Sequence, residues 1–181
     1  LAPEAFQHYL KQDYLFLIQF ARAFALAAYK SPTLSDLRQA KEGLQAIVGV
    51  ELDLHVSYCK EWGISEQELA ELPEARATLA YTRYVLDTGN RGDLLDLHVA
   101  LSPCMVGYGE IANWLKSRAE TIRGENNPYD AWIAMYESDE FQEAMRAEIS
   151  WLNERLADVS PARFKELTRI FSDATRLEID F

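Results

Sequence analysis

Apolar residues recur three and four positions apart along nearly the whole chain, and the one-in-two alternation of a half-buried strand is never sustained. Only 8 glycines and 6 prolines punctuate the 181 residues, too few for the closely spaced turns of an all-β fold. The chain is therefore expected to be all-α. Pro3 opens a first helix that runs to about Tyr29 and stops before Ser31-Pro32. Ser35 is the expected cap of a second helix that ends at Trp62-Gly63, with Gly63 in the left-handed conformation. Ser65 and Glu68 form a capping box for a short helix closed by Pro73. A further helix from Arg76 to about Asp87 should end in the Gly89-Asn90-Arg91-Gly92 turn. Asp93 then caps a long helix reaching about Ala119, where Pro103 should cause a kink. Beyond the polar stretch at Gly124-Glu125-Asn126-Asn127, a short helix carries Tyr129, Trp132, Ile133 and Tyr136. Ser138 caps the next helix, and Ser160-Pro161 opens the last, which continues to Phe181. No repeat or linker divides residues 1–181, so a single domain is expected.

Composition narrows the partners. A 49% apolar content is enough for a sizeable core, and the net charge of −11 disfavours nucleic acid and anionic lipid. No uncharged apolar run is long enough to span a membrane, and no secretion signal opens the chain. Two cysteines, Cys59 and Cys104, fit a reducing compartment, which makes the cytoplasm the expected location.

Writing out each helix's inward stripe exposes a conflict. The first helix gives Phe6, Leu10, Asp13, Leu17, Phe20, Phe24 and Ala27, in which Asp13 interrupts an apolar seam. The second gives Leu37, Ala40, Leu44, Ile47, Glu51, Leu54 and Tyr58, interrupted by Glu51. The Pro103 helix gives Leu94, Leu97, Leu101, Cys104, Tyr108, Ile111 and Leu115. The last gives Phe164, Leu167, Phe171, Ala174, Glu178 and Phe181, interrupted by Glu178. An unpaired carboxylate in an apolar interior costs many kcal/mol, and these stripes carry no Lys or Arg. A polar ligand in the middle of the bundle resolves the conflict. The structural alternatives are a carboxylate turned to a helix edge, Cys104 as a small packing residue, tyrosines that only fill the core, and His55 as a satisfied core histidine. Cys59 has no comparable setting and is read as structural.

With these residues in view, the chain resembles the TenA/thiaminase II family from Leu1 to Phe181. The likeness is carried by Tyr9-Leu10-Lys11-Gln12-Asp13-Tyr14-Leu15, Phe20-Ala21-Arg22-Ala23, Glu51-Leu52-Asp53-Leu54-His55 and Ala80-Tyr81-Thr82. It continues through Ser102-Pro103-Cys104-Met105-Val106-Gly107-Tyr108-Gly109-Glu110, Tyr129-Asp130-Ala131-Trp132-Ile133 and Phe171 to Phe181. The resemblance implies a heme-oxygenase-like helical bundle, a homotetramer, and no metal or organic cofactor. It implies hydrolysis of 4-amino-5-aminomethyl-2-methylpyrimidine to the hydroxymethyl pyrimidine, in thiamin salvage, with cleavage of thiamin itself as a related activity. By the same resemblance Cys104 corresponds to the nucleophile, Asp13 to the carboxylate at a ring nitrogen and exocyclic amine, and Glu178 to the carboxylate at the other ring nitrogen. Tyr81 corresponds to a hydroxyl beside the thiol, and Tyr108 and Tyr136 to pocket tyrosines. Phe16 stands where the family commonly has tyrosine, which keeps a stacking face without the hydroxyl. Met105-Val106 replaces a commonly aromatic pair. The family's N-terminal helix and a tryptophan after the final phenylalanine are also expected to lie outside these residues.

Two other classes compete. A metal-dependent oxygenase on the same bundle would want Glu-x-x-His pairs from two helices, whereas Glu51 and His55 are four apart and His8 lies off its stripe. A non-catalytic pyrimidine-binding module of a thiamin-biosynthesis protein would use Cys104 only for packing.

Overall fold

The computed structural model describes residues Leu1–Phe181 as a bundle of nine α-helices with no strand. They are α1 (Pro3–Lys30), α2 (Leu34–Ala46), α3 (Leu52–Glu61), α4 (Glu66–Ala70), α5 (Arg76–Arg91), α6 (Leu94–Ser117), α7 (Asp130–Glu137), α8 (Asp139–Leu156) and α9 (Pro161–Asp180). The caps explain most of these boundaries. Pro3 and Pro161 start helices where no N–H is needed. Ser65 with Glu68, and Asp93 with Asp96, close full capping boxes. Ser138 and Ser160 accept from Phe141 and Arg163 N–H. Gly63 takes φ 77°, as expected after a helix end.

Three expectations are corrected. Thr33, not Ser35, caps α2, its Oγ1 accepting from Asp36 N–H at 3.1 Å. The expected second helix contains a π turn at Ile47–Glu51 before α3 begins. Helix α5 passes the expected stop at Asp87 and continues through Gly89 to Arg91. Gly89 serves close packing there, since a Cβ would come within 2.6 Å of Leu97.

Helices α1 and α6 form the middle of the bundle. Phe16, Leu17, Phe20, Ala23, Phe24 and Ala27 of α1 meet Leu97, Ala100 and Leu101 of α6, with Val85 of α5 and Leu167, Ile170 and Ala174 of α9. The α1 stripe is buried throughout, as its periodicity predicts. The α9 stripe is rotated: Phe164 and Phe171 are exposed, while Leu167, Ile170 and Ala174 face inward. Leu37 and Ile111 are likewise exposed. A straight helix drifts about 20° per heptad against a three-and-four pattern, which is enough to misplace such edge positions.

Helix α6 remains continuous across Pro103. Proline removes the N–H that Val99 C=O would receive, and the Ser102 hydroxyl donates to that carbonyl at 3.0 Å. This substitution of partner lets the chain carry a proline immediately before Cys104 without a buried orphan carbonyl. No helix is long and apolar enough to cross a membrane.

Candidate functional site

A cavity of about 350 Å³ opens between α2 and α8 and reaches the central helices. Asp13, Phe16, Phe20 and Phe24 line it from α1, Glu51 from the π turn, Cys104 and Tyr108 from α6, and Tyr136 from α7. Its charged lining residues are Asp13, Glu42, Glu51, Glu140 and Glu148, with no Lys or Arg among them. An aromatic, acid-lined cavity favours a flat ligand that bears amines or positive charge.

Asp13 is 4% exposed, and its Oδ2 accepts from Tyr9 Oη at 3.1 Å. The same oxygen meets Nε2 of fully buried His55 at 2.7 Å. His55 Nδ1 lies 2.7 Å from the Glu51 carbonyl, which only accepts, so Nδ1 carries a proton. Burial alone would lower the His55 pKa. The Asp13 charge and hydrogen bond, with the Glu51 carbonyl and charge, outweigh it and leave the pKa raised. Asp13 and His55 thus form an ion pair. The cation missing from the stripes is this histidine, four residues after Glu51 and one turn along the same face. Asp13 Oδ1 makes no hydrogen bond within the protein and stays available to a ligand.

Tyr81 and Glu178 also lie near Cys104. Tyr81 is fully buried, and Phe16 stacks on its ring at 5.3 Å. Neither Tyr81 Oη nor Glu178 Oε2 has a well-formed hydrogen bond, although both are buried. Burial is the main force pushing Glu178 up to about 7, with the Tyr81 hydroxyl pulling it down and Asp13 adding to the rise. Burial also holds the Tyr81 phenol well above its usual range, helped by the nearby Cys104 and Glu178 charges.

Cys104 faces the cavity from the first turn after Pro103. Burial, then Glu178, Glu51 and Asp13, push its thiol well above the free-cysteine range, so the empty site holds a neutral thiol. Tyr81 therefore does not stabilise a resting thiolate, and its hydroxyl makes no hydrogen bond to the sulfur. Tyr108 Oη pairs with Tyr9 Oη at 2.6 Å, and its ring packs on Tyr136 at 4.7 Å.

Of the residues singled out in the sequence, Asp13, Phe16, Cys104, Tyr108 and Tyr136 line the cavity itself. Tyr81 and Glu178 stand behind that lining, close enough for their charges to be felt at Cys104 and at each other. Tyr9 and His55 were not singled out as site residues. Tyr9 precedes Asp13 by one helical turn, a spacing that places the two side by side. A second buried histidine–carboxylate pair joins His98 Nδ1 to Glu148 Oε1 at 2.8 Å, and Glu148 lines the cavity. Gln39 of α2 donates to Glu148 Oε2 at 3.2 Å across the cleft. No three His, Cys, Asp or Glu side chains cluster in an arrangement able to hold a metal ion.

The profile of the TENA/THI-4/PQQC family matches residues 1–181. This chain belongs to that family. It is 41% identical to the aminopyrimidine aminohydrolase of Halalkalibacterium halodurans over 183 aligned residues, covering 100% of this chain and 80% of that protein. It is 30% identical to the aminopyrimidine aminohydrolase of Helicobacter pylori, covering 100% of this chain and 82% of that one. Among solved structures, a TenA family transcription regulator from Silicibacter superposes with a TM-score of 0.91 at 43% identity, covering 99% of this chain and 80% of that one. The TenA-family membership expected from the Pro103-Cys104 motif and its companions is thereby shown, as is the all-helical TenA-type fold.

Proposed function

We propose that the protein is an aminopyrimidine aminohydrolase that converts 4-amino-5-aminomethyl-2-methylpyrimidine and water into the hydroxymethyl pyrimidine and ammonia. The observation that carries this reading is the placement of Cys104 on the wall of an acid-lined aromatic cavity, near the Asp13–His55 pair and the buried Tyr81 and Glu178. The activity borne by two relatives that match this whole chain supports it.

The residues divide the work as follows. The free Oδ1 of Asp13 accepts from the pyrimidine's exocyclic amine, while His55 and Tyr9 hold the carboxylate in place. Phe16, Tyr108 and Tyr136 pack on the ring. Glu178, displaced to about 7, is protonated in a substantial fraction of molecules at neutral pH and gives its proton to a ring nitrogen. Cys104 adds to the electron-poor ring carbon as its proton passes through the Tyr81 hydroxyl to the vacated Glu178 carboxylate. Protonation of the ring and loss of the thiol proton are thus one coupled event, which reconciles a resting thiol with nucleophilic attack. The dearomatised ring expels the amine, water adds to the exposed methylene, and loss of sulfur restores the ring.

The decisive measurement is ammonia release from the aminomethyl pyrimidine. Cys104→Ser should lose it by at least about 10²-fold while still binding the hydroxymethyl product. Turnover within threefold of the parent would overturn the reading. Thiamin, with its larger leaving group, is the second substrate to assay. We extend the proposal to a homotetramer, which would cover exposed apolar side chains such as Ile111, Trp114 and Val48. Sedimentation velocity decides it.

A further inference from the structure

The departing amine must take up a proton and the attacking water must lose one. Asp13 is committed to His55, and Glu178 to the ring nitrogen. Among the other cavity-lining carboxylates, Glu148 is paired with His98, and Glu42 and Glu140 are exposed, which leaves Glu51. Glu51 ends the π turn at Ile47–Glu51, and its side-chain oxygens make no hydrogen bond or ion pair within the protein. π turns are uncommon and concentrate at functional sites because they redirect a side chain by one residue's rotation. Here the turn brings Ile47, Val50 and Glu51 to the cavity together. The charge of Glu51 is felt by Cys104 of α6 and Tyr136 of α7, both on the cavity wall, so its carboxylate lies on the cavity side.

We propose that Glu51 is a catalytic acid–base residue that shuttles the proton between the leaving amine and the attacking water. The inference rests on the hydrolase reading and adds a residue to it. The Glu51 carboxyl and the substrate amine share one proton. As the C–N bond breaks, its electron pair stays on nitrogen and the shared proton leaves on ammonia. Glu51 is then a carboxylate. Water oxygen bonds to the exocyclic methylene, and Glu51 takes the proton that the water loses. Return of the electron pair to the ring expels the Cys104 sulfur, which recovers its proton from Glu178 through the Tyr81 hydroxyl, and the ring proton then returns to the Glu178 carboxylate, so that every group is restored.

The electrostatic setting suits both halves. Burial first, and then Asp13, push Glu51 up to about 7, while His55 opposes them. A group that gives and then recovers a proton near neutral pH works best with a pKa close to that pH. The titratable groups that act on it or feel it are Asp13 of α1, His55 of α3, Cys104 of α6 and Tyr136 of α7.

The test compares two substrates with opposite proton needs. An amine departs well only when protonated, whereas the thiazole of thiamin departs as a neutral ring that takes up no proton. Glu51→Gln should slow ammonia release from the aminomethyl pyrimidine by about 10²-fold or more. It should reduce thiamin cleavage by less than tenfold and leave the binding constant for the hydroxymethyl product within threefold. Equal losses on the two substrates, or undiminished ammonia release, would overturn the assignment. Glu51→Asp, which keeps the proton but withdraws it by one methylene, repeats the comparison should the Gln variant not fold. A parent protein that releases no ammonia would instead sink the hydrolase reading, so the two failures are separable.

Discussion

Replacing His55 by Leu tests the Asp13–His55 pair most directly. Leu nearly conserves volume, so packing against Trp132, whose ring lies 5.1 Å from the imidazole, changes little. What changes is charge: Asp13, 4% exposed, loses the cation at 2.7 Å. Breaking a buried pair by removing one partner costs about 3–5 kcal/mol. Asp13 keeps the Tyr9 hydrogen bond at 3.1 Å and can draw a proton or water from the cavity, which puts the cost near the lower end. For a domain of this size each kcal/mol moves the midpoint by about 2–4 °C, so ~3 kcal/mol lowers Tm by about 6–12 °C. The assay is thermal unfolding of the parent, His55→Leu, Asp13→Asn and the double variant, completing a cycle with a coupling of at least ~2 kcal/mol. The sign with pH follows from the raised His55 pKa. The pair's contribution is full below the ordinary histidine range and fades as pH rises through the raised value. A loss of less than 1 kcal/mol, or additive single effects, would refute the ion-pair assignment.

Other outcomes follow from the same geometry. Because Cys104 rests as a thiol, its alkylation by iodoacetamide at pH 7 should be slower than that of free cysteine, as mass spectrometry of the labelled peptide would report; faster labelling would contradict the burial argument. Glu51 and Glu178, both displaced up to about 7, favour the folded state below the ordinary carboxyl range and lose that contribution as pH rises through about 7. Glu178→Gln should accordingly flatten the fall of Tm between pH 5 and 8 by a measurable fraction, at about 1.4 kcal/mol per unit of displacement removed. Ser102→Ala orphans the Val99 carbonyl below Pro103 and should cost about 1–3 kcal/mol in chemical denaturation. Gly43→Ala drives a Cβ into the Phe24 ring at the cavity wall, and should weaken product binding in calorimetry and lower Tm together.

The helix starts were largely legible because caps are local chemistry: Ser65-Glu68, Asp93, Ser138 and Ser160 each announce themselves within four residues. The buried stripe of α1 was legible because a 28-residue helix surrounded by neighbours leaves little choice of face. Facing was lost on α9, where only one side is covered and Phe164 and Phe171 fall just beyond its edge. The π turn had no sequence signal distinguishable from a continuous helix, since Val48, Gly49 and Val50 lower helix propensity without specifying an alternative. In the site, Asp13, Glu51 and Glu178 stand out as carboxylates interrupting apolar seams, whereas Cys104 is marked only by the family resemblance. The role of His55 does not stand out, because a histidine's charge depends on a carboxylate that only tertiary structure brings within 2.7 Å. Tyr81 and Glu178 were flagged in the sequence, but their lack of hydrogen-bond partners becomes visible only once neighbouring helices enclose them.

The π turn between α2 and α3 has a consequence for how this scaffold can change. Such a turn is equivalent to one surplus residue in an otherwise regular coil. Deleting a single residue among 47–50 would let the backbone relax into the ordinary ladder, removing the widened turn that ends at Glu51 while nearly keeping the register of the helices on either side. Point substitutions leave the widened turn intact, whereas a one-codon loss would erase it and still yield a well-formed helix. Within such a lineage, a shortened α2–α3 stretch would mark chains that keep the bundle after giving up its chemistry.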